Sequence, residues 1–434
     1  MFSSKIVSGL NGEINIPGDK SISHRSIIIP SISKGICEIS NILISQDVMH
    51  TLDAFRLMGV EIEELKNKII IHGMGLNSLQ KPNREIQLGN SGTSARLLAG
   101  LLSAQKFNTT LLGDKSLSLR PMKRITDPLK LMNAKIETSN GCLPIKIYGR
   151  ELQNIEIKID IPSAQIKSGI ILAALNVKGK STIFETNITR NHTEIMLESF
   201  GANIDISKKN NETKIVVKGK KELLAKNIEV PGDLSSSAFF IVAASINQNS
   251  KIKLKNININ PTRNGIILAL DKMGAKINIT NKKFINNEKV ADIFVKSSKL
   301  HGCELNEKFA KLMIDEYPIL SIAAAFANSP SLFRGLKELR IKESNRLELI
   351  RYNLNQCGVF CEIRGDDLFI DPTKNTNPKN NQIRTDRDHR IAMSFAVMGM
   401  KLDINLKIIN SEFIKTSFPN FTKTLNLIGG NLTE

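Results

Sequence analysis

Two hydrophobic periods run through this chain of 434 residues. Segments 97–102, 170–175, 239–244, 319–325 and 391–397 are almost free of polar residues. A helix that is apolar nearly all round belongs in an interior. The pattern predicts buried helices that begin near Ser21, Ser91, Ser163, Asp233, Pro318 and His389. A second, more amphipathic helix recurs at 52–60, 129–134, 196–202, 268–275, 352–359 and 425–430. Each copy ends in Gly or Asn, then runs through a small or β-branched residue into an alternating strand. Gly or Asn supplies the left-handed residue that stops a helix and turns the chain back. The stops Gly59, Asn133, Gly201, Gly274, Gly358 and Gly429 recur about every 70 residues, which marks a repeated fold unit.

Six such units, each a sheet with one buried and one outer helix, divide into two groups of three. Pro231-Gly232-Asp233 echoes Pro17-Gly18-Asp19 and marks the expected crossing between groups. The expectation is an α/β (α+β) protein of two similar lobes. One lobe is 19–230; the other is 231–434 with the N-terminal strand, 1–18, added. A chain of this length is too long for one hydrophobic core.

Composition narrows the class. Hydrophobic residues make up 41% and charged residues 24%, the balance of a soluble globular protein. No apolar run reaches the length of a membrane span. The first residues lack the apolar block of a signal peptide, so a cytoplasmic protein is expected. The five cysteines show no paired C-x-x-C spacing, which argues against zinc and against a disulfide framework. Cys357 and Cys361 read as small buried hydrophobes. The formal charge of +18 invites a nucleic-acid reading, but the lysines are spread along the whole chain, aromatics are 5% and Trp is absent. Without a stacking platform, an anionic small substrate, or simply a Lys-rich proteome, explains the charge better.

The chemistry gathers where the buried helices start. Pro17-Gly18-Asp19 reads as a turn, and a helix opens just after it with Lys20, Ser21 and Arg25 near its first turn. A helix N-terminus presents free N–H groups and partial positive charge, so cations placed there make an anion site; a capped surface helix with solvated cations is the plainer reading. Gly89-Asn90-Ser91-Gly92-Thr93-Ser94-Ala95-Arg96 repeats the theme with a cap, a glycine that admits close approach, and a cation. Leu119-Arg120-Pro121 adds a basic loop suited to carboxylate or phosphate, or simply to solvent. Pro162-Ser163-Ala164-Gln165 is a third capped start, with Lys167 near it and Thr189-Arg190-Asn191-His192 supplying hydroxyl and cation. His192 on its own reads as structural. Toward the C-terminus come carboxylates: Asp315 at a helix mouth, Glu343 between Lys342 and Arg346, and Asp386-Arg387-Asp388-His389-Arg390 opening the last buried helix. Neighbouring cations would tune the Glu343 carboxyl.

Taken together, Lys-Ser-Ile-Ser-His-Arg, Gly-Asn-Ser-Gly-Thr-Ser-Ala-Arg, Arg-Pro-Met, Ser-Ala-Gln, Arg-Ile-Lys-Glu-Ser-Asn-Arg and Asp-His-Arg-Ile-Ala-Met resemble the 5-enolpyruvylshikimate-3-phosphate synthase family over nearly the whole chain. Ser-Gly-Thr-Ser-Ala-Arg-Leu and Thr416 to Pro419 resemble its class II branch. The resemblance implies two lobes of three βαβαββ units each, the inside-out α/β barrel of enolpyruvyl transferases. It also implies transfer of the carboxyvinyl group of phosphoenolpyruvate to the 5-hydroxyl of shikimate 3-phosphate, on the route to chorismate and aromatic amino acids, with no metal or organic cofactor. Ser21, Arg25, Ser163, Ala164, Gln165 and Arg190 would hold shikimate 3-phosphate, with Lys20. Lys20, Gly92, Arg120, Gln165, Arg346 and Arg390 would hold phosphoenolpyruvate. Asp315 would take the hydroxyl proton, Lys342 would touch that hydroxyl, and Glu343 would protonate the methylene. Two phosphorylated acids would then be gripped between lobes that close and exclude water. A monomer that binds no nucleic acid and no membrane is expected, with glyphosate competing at the phosphoenolpyruvate site. Lys415 stands one position further from Phe418 than one branch of the family has it, and His192 stands where some relatives have Tyr.

Three other readings remain at this point. The enolpyruvyl transferase acting on UDP-N-acetylglucosamine shares the fold, but it usually carries a reactive Cys in the loop that is Gly113 to Leu119 here, and this loop has none. RNA 3′-phosphate cyclase shares the repeat. A non-enzymatic anion-binding scaffold explains the cations but leaves Asp315 and Glu343 without a purpose.

Overall fold

The computed structural model describes every residue except Asn67, Ile161, Asn211 and Glu434. Among the described residues the strands form six four-stranded sheets. In each, one outer pair runs parallel and the central pair runs antiparallel. Parallel neighbours cannot be joined by a tight hairpin and need a crossover. In four of the sheets a buried helix is that crossover; Lys20–Ser31 and Leu234–Ile246 instead lead out of a strand of one sheet into a strand of another. In one sheet Ile86–Gln87 leads into the helix Gly92–Ser103, which returns as Asn108–Leu112 beside it, with Ile86 facing Leu111. Strands Cys142–Tyr148 and Lys135–Ser139 complete that sheet. Their alternation has a physical cause: successive side chains point to opposite faces, so Ile145 and Ile147 are buried while Lys146 is exposed.

The six buried helices are Lys20–Ser31, Gly92–Ser103, Ala164–Ala174, Leu234–Ile246, Tyr317–Ala325 and His389–Gly399. Every residue of Leu234–Ile246 is buried. The outer helices are Gln46–Leu57, Lys123–Leu131, His192–Ser199, Gly265–Lys272, Arg346–Gln356 and Phe421–Leu427. Each is followed by a left-handed residue, from Asn133 at φ 70° to Gly429 at φ 102°. That conformation is what turns each helix end back into the next strand.

The chain divides into two compact units. One holds Gly18–Val230 with Ile285–Glu288; the other holds Met1–Pro17, Pro231–Phe284 and Lys289–Glu434. Each has its own apolar core and three of the sheets. The chain passes between units at both Pro-Gly-Asp turns. Strand Ile228–Glu229 therefore completes the sheet of Lys34–Ser40, with Ile228 beside Ile39, and strand Asn11–Ile14 completes the sheet of Lys251–Asn258.

In the unit built on 18–230, two glycines set how closely the crossover helices pack. A β-carbon on Gly100 would stand 1.9 Å from the carbonyl oxygen of Gly169, and one on Gly169 would stand 2.7 Å from that of Arg96. Helices Gly92–Ser103 and Ala164–Ala174 thus meet backbone to backbone. Their first turns are brought together as a result, and the hydrogen bonds between Arg96, Gln165 and Thr93 follow. Gly100→Ala cannot be accommodated by a rotamer change, since the neighbour is backbone. We expect overpacking to cost at least about 1–3 kcal/mol, read as a lower midpoint of thermal unfolding. An unchanged midpoint would show that the crossing has slack.

Candidate active site

In the unit built on 18–230, three helix starts carry polar groups. Asp19 caps Lys20–Ser31 by accepting from the Ile22 N–H at 3.0 Å. Lys20 forms an ion pair with Asp47 from the neighbouring outer helix. Arg25 lies one turn on and is buried, with its guanidinium spread over neutral oxygens: Nε donates to Thr193 Oγ1 at 2.6 Å, and the two terminal nitrogens donate to Ser168 Oγ at 2.7 Å and to the Ser21 carbonyl at 2.8 Å. Burial pushes its pKa down to about 10, against the opposing pull of Glu194 and Asp19. A buried cation held by hydroxyls gains from an anion nearby.

The second start is capped by Ser91, which accepts from the Ser94 N–H at 3.2 Å. Arg96 donates to Gln165 Oε1 at 2.8 Å and to the Gly92 carbonyl at 3.1 Å, while Arg120 bonds to Asn90 and reaches Ser116 Oγ at 3.3 Å. Gly92 sits between the two arginines: a β-carbon there would stand 2.7 Å from one Arg96 nitrogen and 3.3 Å from one of Arg120. The third start is capped by Ser163, and Gln165 joins it to the second by donating to Thr93 Oγ1 at 3.0 Å. Ala164 and Arg190 are half-buried. Ile161, at the head of this motif, lies outside the described residues.

Lys167 requires a correction. Its position near a capped start suggested a cation available to ligand. Instead it is buried, with Nζ 3.1 Å from Glu185 and 2.8 Å from Glu194. Burial opposes its charge, but Glu194 and Glu185 outweigh that and raise its pKa. It joins a strand to the helix His192–Ser199 and serves the fold. His192 is likewise buried, with Nδ1 2.6 Å from Glu288 of the same unit.

The other unit gathers the carboxylates around one buried cation. Arg346 opens an outer helix, and its Nε lies 2.8 Å from Asp388 Oδ2. Its terminal nitrogens lie 2.5 Å from Glu343 Oε2 and 3.3 Å from Asp315 Oδ1. Lys342 Nζ is 3.3 Å from the same Asp315 oxygen. Burial works against the Arg346 charge, yet Asp388, Glu343 and Asp315 overcome it and its pKa stands above the ordinary value. Asp388 also caps the last crossover helix through the Arg390 N–H at 2.9 Å. Burial alone would raise the Asp388 pKa; Arg346 more than offsets this, and it is lowered. Arg390 donates to the Asp315 carbonyl at 3.1 Å. Asp315, Lys342, Glu343, Arg346 and Arg390 therefore form one cluster.

Residues 5–425 match the family model described as EPSP synthase (3-phosphoshikimate 1-carboxyvinyltransferase). This chain belongs to the EPSP synthase family. It is 43% identical over 420 residues to the 3-phosphoshikimate 1-carboxyvinyltransferase of Thermoanaerobacter sp. (strain X514), covering 96% of this chain and 98% of that one. It is 44% identical over 432 residues to the enzyme of the same name from Ruthia magnifica subsp. Calyptogena magnifica, covering 99% and 98%. An EPSP synthase structure from Acinetobacter baumannii covers all of both chains with a TM-score of 0.87 and 40% identity.

With the EPSP synthase fold in place, the residues that sequence reasoning passed over can be named. Asp47, the partner of Lys20, has no motif around it. Thr193 and Ser168, which hold Arg25, are ordinary helix hydroxyls in sequence. Lys415 is exposed in the turn Ser411–Thr416. Of these groups, Lys167 offers the sharpest test of a purely structural role. Lys167→Met leaves two buried carboxylates without their cation, and we expect a loss of about 3–5 kcal/mol in stability, measured by denaturant unfolding. A variant of unchanged stability would put Lys167 back among the ligand candidates.

Proposed function

We propose that this protein moves the carboxyvinyl group of phosphoenolpyruvate to the 5-hydroxyl of shikimate 3-phosphate and releases phosphate, as a transferase of the shikimate pathway to aromatic amino acids. Membership of the EPSP synthase family supports the reaction. The observation that carries the assignment of chemistry is the junction at Arg346, where two carboxylates, Asp315 and Glu343, share one fixed cation beside Lys342.

In this reading Asp315 takes the 5-hydroxyl proton as the oxygen adds to the central carbon of phosphoenolpyruvate. Glu343 gives a proton to the methylene, which becomes a methyl group, and the product of addition is a tetrahedral intermediate. Phosphate then leaves and the methyl group loses a proton, which restores the vinyl group. Two positioned carboxyl groups suit these paired transfers. Lys20, Ser21, Arg25, Ser163, Ala164, Gln165, Arg190 and Lys342 are assigned to shikimate 3-phosphate. The buried Arg25, held by neutral oxygens, supports its part in this set. Lys20, Gly92, Arg120, Gln165, Arg346 and Arg390 are assigned to phosphoenolpyruvate, and the closeness of Gly92 to Arg96 and Arg120 supports a small anion there. Fixed donors aimed at developing charge lower a barrier without reorganising. The reading further has the protein working as a monomer in the cytoplasm, on small molecules alone, and open to competition by glyphosate at the phosphoenolpyruvate position.

A phosphate-release assay tests the assignment. Release should need both substrates, and should stop when UDP-N-acetylglucosamine replaces shikimate 3-phosphate. Release with that nucleotide sugar would move the protein to the neighbouring transferase activity. Asp315→Ala and Glu343→Ala should each lower kcat about 10²–10⁴-fold while both KM values stay within a few-fold. Raised KM values at unchanged kcat would remove both carboxylates from the chemistry.

A further inference from the structure

Glu316 follows Asp315 directly and plays no part in the assignments above. Its side chain is buried, at 2% relative exposure. Oε1 accepts a short hydrogen bond from Ser235 Oγ, and Oε2 is buried with no hydrogen-bond partner among the described residues. A buried carboxyl oxygen left unmatched is costly unless a charge compensates. Among the described residues the cation within ion-pair reach of this carboxylate is Arg390, whose Nη1 lies 3.9 Å from Oε1. That is beyond a hydrogen bond but within reach of a partly buried charge.

Behind Glu316 stands a fixed relay. Ser235 is in the first turn of the helix Leu234–Ile246, which Asp233 caps through the Ser235 N–H at 2.8 Å. The guanidinium of Arg263 donates to Asp233 Oδ1 at 3.0 Å and to Ser235 Oγ. All three are buried. The order Asp233, Arg263, Ser235, Glu316, Arg390 places Glu316 behind Arg390 with little freedom to move. Arg390 Nη1 meanwhile donates to the Asp315 carbonyl at 3.1 Å.

We propose that Glu316 is a positioning residue for Arg390. Held from behind by the Ser235–Arg263–Asp233 relay, its carboxylate anchors one side of the guanidinium and leaves the other side to an anionic ligand. The inference rests on the assignment of Arg390 to phosphoenolpyruvate. It predicts a selective effect, because Glu316 acts on one substrate through one residue.

The experiment compares Glu316→Gln, Arg390→Lys and the double variant by steady-state kinetics with both substrates. Gln keeps the size of the side chain and an acceptor for Ser235 while removing the charge. Glu316→Gln should raise the KM for phosphoenolpyruvate about tenfold, the difference between a charged and a neutral partner, and leave the KM for shikimate 3-phosphate within twofold. In the Arg390→Lys background the added effect of Glu316→Gln should largely vanish. Equal rises for both substrates, or the same rise in both backgrounds, would mean a merely structural role and overturn the proposal. If Arg390→Lys leaves the KM for phosphoenolpyruvate unchanged, the underlying assignment has failed instead. Should Glu316→Gln not fold, Ser235→Ala serves: a smaller rise confined to phosphoenolpyruvate supports the relay, and no rise overturns it.

Discussion

Six helices are buried on most sides, and each must satisfy its free N–H groups where it begins. Water cannot do this in an interior, so side chains or ligands must. Asp19, Ser91, Ser163, Asp233 and Asp388 cap five of them directly. The sixth, Tyr317–Ala325, has no side-chain cap, and Asp315 and Glu316 precede it. Most of the candidate chemistry lies within a turn of one of these starts. The same requirement that lets the helices be buried also concentrates donors and dipoles where anions can be held.

The two units answer the charge problem differently. Around Lys20–Ser31 the buried arginine rests on hydroxyls and a carbonyl, so its charge is unmatched by any direct carboxylate bond in the described contacts. Around Arg346 three carboxylates converge on one cation, with Lys342 beside Asp315. The first arrangement favours taking up an anion. The second holds its carboxylates fixed around a cation. Lys167 shows the third use of a buried charge, fully paired with Glu185 and Glu194 and committed to the fold.

Much of this was legible in the sequence because it depends on local rules. The six left-handed stops from Gly59 to Gly429 announce themselves as Gly or Asn after an amphipathic run, and the near-polar-free segments announce the buried helices. Caps and cations stand in the same few residues, so Ser91, Gly92 and Arg96 could be read together. What could not be read depends on pairing across distance. Nothing near Asp47 says that it meets Lys20, and nothing near Gly100 says that Gly169 lies against it. Lys167 misled for the same reason: its helix position was clear, but Glu185 and Glu194 arrive from other elements. The return of Ile228–Glu229 to the first sheet is likewise a matter of topology, invisible to a local pattern.

The central claim is that the capped helix starts, with their fixed cations, are the anion sites. A crystal structure of the protein with shikimate 3-phosphate tests it most directly. The account predicts phosphate oxygens within hydrogen-bond distance of Ser163 and Gln165, and Arg25 in contact with the same ligand. A ligand bound elsewhere, with these three residues keeping only the partners described here, would contradict it.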